Sequence, residues 1–442
     1  MSDHAIPLLQ QLIRNECVND GTPESGHEHR SVETLLDFFG VEGEIFEPAP
    51  GRQSLIYRVP GSDRAAPSLA LAPHLDVVPV DPEGWSRDPF GAEIVDGMVY
   101  GRGAVDMLNV TAAMAVAAKP YLTGERRPRG DLLFAALADE EAGGALGASA
   151  LVNERWDLAE VDFMLTEVAY PPISYAREEA IPVATGEKGA FWTVLRSSGT
   201  PGHGSAPYGT DNALRKMAEA VHGIFSEPMP VAITQEWREF VDTLDLSEEL
   251  RADLVDPDRV DQALESLAVN DPLFARYAHA VTHLTVSPNM LQAGVKSNVI
   301  ASHAKANVDI RSLPGMDRSF VDSYLFKAMG GARDEVEIEP FMDIEATVSP
   351  IDNPLWEAIA DSVEKLEGHR RLLPTLMTVG TDARFWRQKK GTIAYGVGLY
   401  DDRMGFSEML SLFHGHDERV SVESVERTTH LYEEVLARFL QG

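Results

Sequence analysis

Cysteine is nearly absent: Cys17 is the single thiol in 442 residues. No internal disulfide can form, and a reducing cytoplasm suits such a chain. Cys17, ahead of "VNDGTPESG", reads as a helix-end or loop thiol without a role rather than as a nucleophile. Apolar runs long enough to span a membrane, about eighteen residues, are missing as well, so no membrane partner is expected. The start, "MSDHAIPLLQQLIRNE", lacks a basic segment leading into an apolar one and reads as an amphipathic helix, not a secretory signal. Positive charge is scarce: 38 Lys and Arg against 70 Asp and Glu leave a net charge of −32. A surface of that sign repels phosphate, which excludes nucleic acid as a partner. The acidic residues are spread along the chain, so most are solvated surface and only a handful can be ligands.

What is present is ordinary for a globular protein, with 44% hydrophobic and 24% charged residues. The length suggests two domains, or one carrying a large insertion. Up to residue 186, helical and strand patterns alternate: "SVETLLDFFG", "SLALAPHLDVV", "VTAAMAVAAKPYL", "RGDLLFAALADEEAGG" and "VDFMLTEVA". That order predicts an α/β domain, a mostly parallel sheet with helices on both faces, whose ligands gather at the carboxyl ends of the strands. Over 187–344 the texture changes to β-α-β-β-α-β, as expected for an inserted α+β domain with one antiparallel sheet and two helices. Within it, 226–278 is acidic and helical and reads as a further insertion. From 345 to 442 the α/β texture returns and completes the first domain.

The strand ends of the first domain collect a particular chemistry. "APHLDVV" offers His74 and Asp76, two residues apart and so on one face of an extended strand. "GRGAVDML" offers Asp106, "ALADEEAGG" offers Glu140 and Glu141, "FMLTEVAY" offers Glu167, and "FHGHDERV" offers His414 and His416. Imidazoles and carboxylates without a thiol suit zinc, cobalt or manganese. Each piece has a plainer reading. The His-x-Asp pair reads equally as a turn, the paired glutamates as a solvated face, Asp106 as a helix cap and Glu167 as an edge charge. It is their joint placement at successive strand ends that points to a metal cleft.

These motifs, with "WSRDPFGAEIVDGMVYGRGAVDM", "GHGSAP", "SNVI", "VDIRSLPG" and "GTDARF" in the same order, resemble the dinuclear zinc amidohydrolases. That family includes aminoacylase, carboxypeptidase G, acetylornithine deacetylase and succinyl-diaminopimelate desuccinylase. The resemblance implies a zinc-binding α/β domain interrupted by a lid domain that often dimerises, and hence a second copy of this chain as a partner. By position, Asp106 resembles the carboxylate bridging two divalent metal ions, most often zinc. Glu141 and His414 would complete one site, and His74 and Glu167 the other. One carboxylate can bridge cations about 3.5 Å apart, which then clamp a hydroxide. Asp76 resembles the carboxylate that fixes the His74 tautomer. Glu140 resembles the general base. His203 of "TPGHGSAP", otherwise a turn histidine, resembles the oxyanion-stabilising lid histidine, often supplied by the opposite subunit. Arg311, with Asn298 assisting, resembles the clamp for a substrate carboxylate, and Thr381 and Asp382 of "GTDARF" would line the substrate site. The His-Gly-x-Asp-Glu spacing favours His414 over His416 as the ligand. After Asp106 the chain reads "MLN" where many relatives have Met-Lys-Gly.

The function expected is therefore hydrolysis of an amide or peptide bond next to a free carboxylate, in an N-acyl amino acid, a dipeptide or a peptide C-terminus. An aminopeptidase of the same family is the alternative, ranked second because Arg311 suits a carboxylate rather than an ammonium. A non-catalytic binding protein on this fold ranks lower still, since neither the base nor a ligand has been lost.

Overall fold

Residues 4–173, 180–368 and 371–441 are described by a computed structural model. The first sheet is mixed and nine-stranded. Its centre is parallel: Leu132–Ala136, Leu69–Leu71, Phe163–Thr166 and Ile393–Gly396 lie side by side in that order. Antiparallel strands flank it, with Glu44–Phe46 and Ser54–Val59 on one side and Ala180–Glu187 and Thr347–Val348 on the other. Arg371–Met377 pairs in parallel with Ala180–Glu187.

The central strands are buried on both faces, which is why they read as unbroken apolar runs. Side-chain alternation divides them between two cores. Leu69, Leu71, Leu132, Phe134 and Leu165 join the helices Ala5–Arg14, Leu108–Leu122 and Val422–Gln441 on one face. Ala70, Ala72, Leu133, Ala135 and Met164 face Leu151 and Trp386 on the other. The Leu108–Leu122 helix is small-residue rich and buried almost all round, so helix and sheet approach closely. "SLALAPHLDVV" is regular strand only at Leu69–Leu71, because Pro73 has no N–H for a ladder. Beyond it His74 and Val77 make single bridges, to Leu137 and Val18.

The chain leaves the first sheet after Glu187 and crosses at Gly189 into a second, antiparallel sheet. A Cβ at Gly189 would collide with Ser312 Oγ and the Ile344 carbonyl, so only glycine fits the crossing. The second sheet orders Thr285–Ala293, His303–Ser312, Thr193–Ser198 and Val336–Pro340. In His303–Ser312, Ala304, Ala306, Val308 and Ile310 join the core with the helices Ala213–Ser226 and Arg318–Met329, while His303, Lys305, Asp309 and Arg311 take the other face.

Between Ala213–Ser226 and Thr285–Ala293 run four helices, Gln235–Thr243, Glu248–Leu254, Val260–Ala268 and Pro272–Thr282. They do not pack on the second sheet alone: Phe240 and Tyr277 meet Phe406, and Trp237 shares a core with Leu373 and Leu376. Among the described residues no helix is long and apolar enough to cross a membrane.

Candidate metal centre

The parallel strands deliver their functional residues to one end. Leu69–Leu71 leads through Pro73 to His74, and Leu132–Ala136 leads to a 3-10 turn, Glu140–Ala142. Phe163–Thr166 leads to Glu167. Asp106 sits in the turn before the Leu108–Leu122 helix, and His414, with φ 58°, follows the Phe406–Leu412 helix.

The two oxygens of Asp106 face two different imidazoles. Oδ1 lies 3.3 Å from His74 Nε2 and Oδ2 lies 3.4 Å from His414 Nε2. His74 Nε2 is also 3.6 Å from Glu167 Oε2, and His414 Nε2 is 3.2 Å from Glu141 Oε2. Ligand atoms of His74, Glu140 and Glu167 fall within 4.8 Å of one another, as do those of His74, Asp106 and Glu141. The six residues thus form one cluster with Asp106 between its halves.

Buried partners hold this geometry. The Asp76 carboxylate accepts from the backbone N–H of Glu140 (3.2 Å) and Glu141 (3.1 Å) and from Asn19 Nδ2 (2.8 Å). The Asp76 main chain stands nearer to the His74 ring than its carboxylate does. His74 Nδ1 is 2.9 Å from the Asp76 backbone carbonyl, while the carboxylate stands off at 3.7 Å. The Asp76 main chain thus meets the His74 ring, while its side chain meets the Glu140–Glu141 turn.

Glu418, inside the quoted "FHGHDERV" but not singled out there, does the same for Asp106. It accepts from Gly103 N (3.0 Å), Val105 N (2.7 Å), Asp106 N (3.0 Å) and Arg102 Nη1 (2.8 Å). Arg384 ties the "GTDARF" segment to the same turn, donating to Thr381 O (2.7 Å) and Gly143 O (2.8 Å). Neither residue has a local signal in the sequence. The Glu418 bonds and the Arg384 bond to Gly143 run to partners more than two hundred positions away.

The electrostatics fit cations. Burial pushes the Glu140 carboxyl well up, with Glu167 adding to it, and pushes Glu141 up to about 7 and Asp382 up to about 8. Burial would lower His74, but the Asp106 and Glu167 carboxylates raise it well above its ordinary value. Asp106 and Glu141 raise His414 to about 10. Asp106 itself is held down, because the two histidines outweigh its burial. Several buried oxygens have no hydrogen-bond partner among the described residues: Glu141 Oε1, Glu167 Oε1 and both of Asp382. Crowded carboxylates with idle oxygens and two imidazoles are the donor set of a divalent metal centre.

Of the other expected residues, Asp382 belongs to this charge cluster, through its influence on Glu140. Thr381 is fully buried, its N–H bonded to Glu187 and its hydroxyl accepting from Ala383 N at 3.3 Å. Arg311 lies on the second sheet, His203 follows its strand Thr193–Ser198 and Asn298 is in the turn between Thr285–Ala293 and His303–Ser312, and among the described residues none hydrogen-bonds to the cluster. His203 pairs with Val299 and its Nδ1 is 2.8 Å from Ser205 Oγ. The Asn298 carbonyl accepts from Gly204 N at 2.9 Å, which sets the two residues side by side. Arg311 stacks 5.0 Å over Trp192 and donates to Asp309 at 2.8 Å. Cys17 is buried, and that burial pushes its thiol up to about 12.

An α/β scaffold with imidazoles and carboxylates at the strand ends of its main sheet has the architecture of a metal-dependent hydrolase. Residues 70–438 match the model of peptidase family M20/M25/M40, and the chain belongs to that family. It is similar to aminoacylase-1 of Sus scrofa, 27% identical over 98% of this chain and 94% of that protein. It is also similar to succinyl-diaminopimelate desuccinylase of Rhodospirillum centenum, 27% identical over 100% of this chain and 99% of that one. The fold matches the M20 family metallo-carboxypeptidase Sso-CP2 of Sulfolobus solfataricus, with a TM-score of 0.74 at 18% identity over 99% of each chain.

Proposed function

We propose that this hydrolase cleaves an amide bond next to a free carboxylate, in an N-acyl amino acid, a dipeptide or a peptide C-terminus. The observation that carries the reading is Asp106 with one oxygen toward each histidine. Asp106 would bridge two divalent ions, zinc before cobalt or manganese, with Glu141 and His414 holding one and His74 and Glu167 the other. When bound, such ions supply Lewis acidity to the attacking water and the scissile carbonyl.

The remaining steps fall to the chain's own residues. Glu140, whose carboxylate has no backbone partner among the described residues, takes a proton from the attacking water and delivers it to the leaving amine. His203 donates to the developing oxyanion once the second sheet closes over the cluster, from the same chain or from a partner copy in a homodimer. Arg311 holds the substrate carboxylate: Asp309 takes Nε and Nη2, and Nη1 has no partner among the described residues. Asn298 assists, and Asp382 lines the approach to Glu140. Turnover on paired panels tests the substrate class. Acyl-amino acids and dipeptides should be cleaved, and their carboxamides should lose most of kcat/KM. Equal cleavage of the carboxamides, or cleavage of N-terminal residues from blocked peptides alone, contradicts it.

A further inference from the structure

Away from the acidic cluster, one other group of side chains among the described residues has cation-binding chemistry. Asp261, His279 and His283 present ligand atoms within 4.8 Å of one another. Asp261 comes from the Val260–Ala268 helix, His279 from Pro272–Thr282, and His283 closes that second helix. His283 is buried and its ring is oriented. Nδ1 lies 3.1 Å from the His279 carbonyl and 2.9 Å from the Thr282 hydroxyl, which turns Nε2 toward Asp261 Oδ1 at 3.0 Å. An imidazole engaged by a carbonyl at one nitrogen is set to use the other as a ligand.

His279 is the less settled of the two. Its ring makes no hydrogen bond among the described residues and lies face-on against His283, with centroids 4.1 Å apart and planes 3° from parallel. Half-buried imidazoles normally find a polar partner, and this one has only another imidazole.

We propose that Asp261, His279 and His283 bind one divalent cation of the zinc class, at a site separate from the acidic cluster. Two imidazoles and a carboxylate are a borderline donor set that favours zinc, cobalt or nickel over magnesium or calcium. Parallel rings cannot both aim a lone pair at one ion, so binding swings the half-buried His279 out of the stack while His283 stays. Exposed Asp261 leaves the remaining positions to water. The ion joins the Val260–Ala268 helix to the end of Pro272–Thr282. That end in turn holds Lys188, which donates to the carbonyls of Ala280 (2.6 Å) and His283 (2.7 Å) beside the Gly189 crossing. The cation is thus a staple on the segment that supports the passage between sheets.

The test is zinc stoichiometry on metal-stripped, refilled protein. Wild type should hold one more zinc ion per chain than Asp261→Asn or His279→Gln, both at partly exposed positions. Both variants should keep the wild-type circular dichroism spectrum. The comparison is relative, so it stands whether or not the acidic cluster holds two ions. Equal zinc content in wild type and folded variants overturns the site. Binding of magnesium in the same ratio overturns its zinc character. On wild type alone, saturating zinc should move the ring 1H–15N signals of His279 and His283, and unmoved signals overturn the site even where a variant fails to fold.

Discussion

The strand ends of the first sheet and the open face of the second carry their functional residues in opposite ways. At the strand ends His74, Asp76 and Glu167 are buried, and the backbone around them is pinned by Asp76, Glu418 and Arg384. Beside the second sheet His203 and Asn298 are exposed in its connecting loops, and on the sheet Arg311 leans on Asp309 and Trp192. Metal ligands have to be in place before an ion arrives, so a rigid buried lattice serves them. Groups that touch substrate have to admit it first and then close, which an exposed surface on a separate sheet allows. The comparison separates a part built for precision from a part built for access.

Substitutions on each side should break that comparison differently. The largest effect is expected from Asp106→Ala, which removes the one carboxylate facing both histidines. Elemental analysis should find both ions lost and activity abolished, and normal metal content would remove Asp106 from the centre. His203→Ala, on the open side, should lower the rate at saturating substrate by about 10²–10³-fold, the usual effect of one oxyanion donor. Its metal content should not change. If the histidine is donated in trans, mixing His203→Ala with Glu140→Gln chains, with subunit exchange confirmed, should restore activity through one intact site per mixed dimer. Wild-type activity of His203→Ala alone contradicts the role. The smallest effect is expected from Glu418→Gln. It keeps the shape but gives up a charge that receives three backbone N–H groups, each such bond being worth about 1.5–3 kcal/mol. Acting only through the Asp106 turn, it should weaken metal affinity about 10–100-fold. Excess metal should then restore the rate, which a substrate-touching role would not allow.

The same division decides how much could be read from the sequence. His74, Asp106, Glu140, Glu141, Glu167 and His414 stand out because each follows its own strand or turn within a few residues, and parallel strands bring such ends together. Glu418 was hidden because its partners, Gly103 to Asp106, lie more than three hundred positions upstream. Asp76 was visible as a partner of His74, but which of its oxygens does the work depends on a turn closed across sixty-four positions. The strand pattern found the parallel centre of the first sheet and not its antiparallel flanks, since the buried Ala180–Glu187 reads alike in either direction and Glu44–Phe46 and Thr347–Val348 are only three and two residues long. The helical pattern over 226–278 was legible, whereas the packing of those helices on Phe406 and Leu373 was not, because periodicity names a buried face without naming what covers it.

Metal content and turnover, measured together on Glu140→Gln and Glu141→Gln, test the central claim most directly. The two residues are neighbours on one turn, yet they are assigned opposite tasks. Glu140→Gln should keep both ions while turnover falls by about 10²–10⁴-fold, the loss expected of a proton acceptor. Glu141→Gln should lose metal first, and its activity should recover in part with added zinc. Exchange of the two phenotypes, or wild-type turnover in Glu140→Gln, would contradict the account.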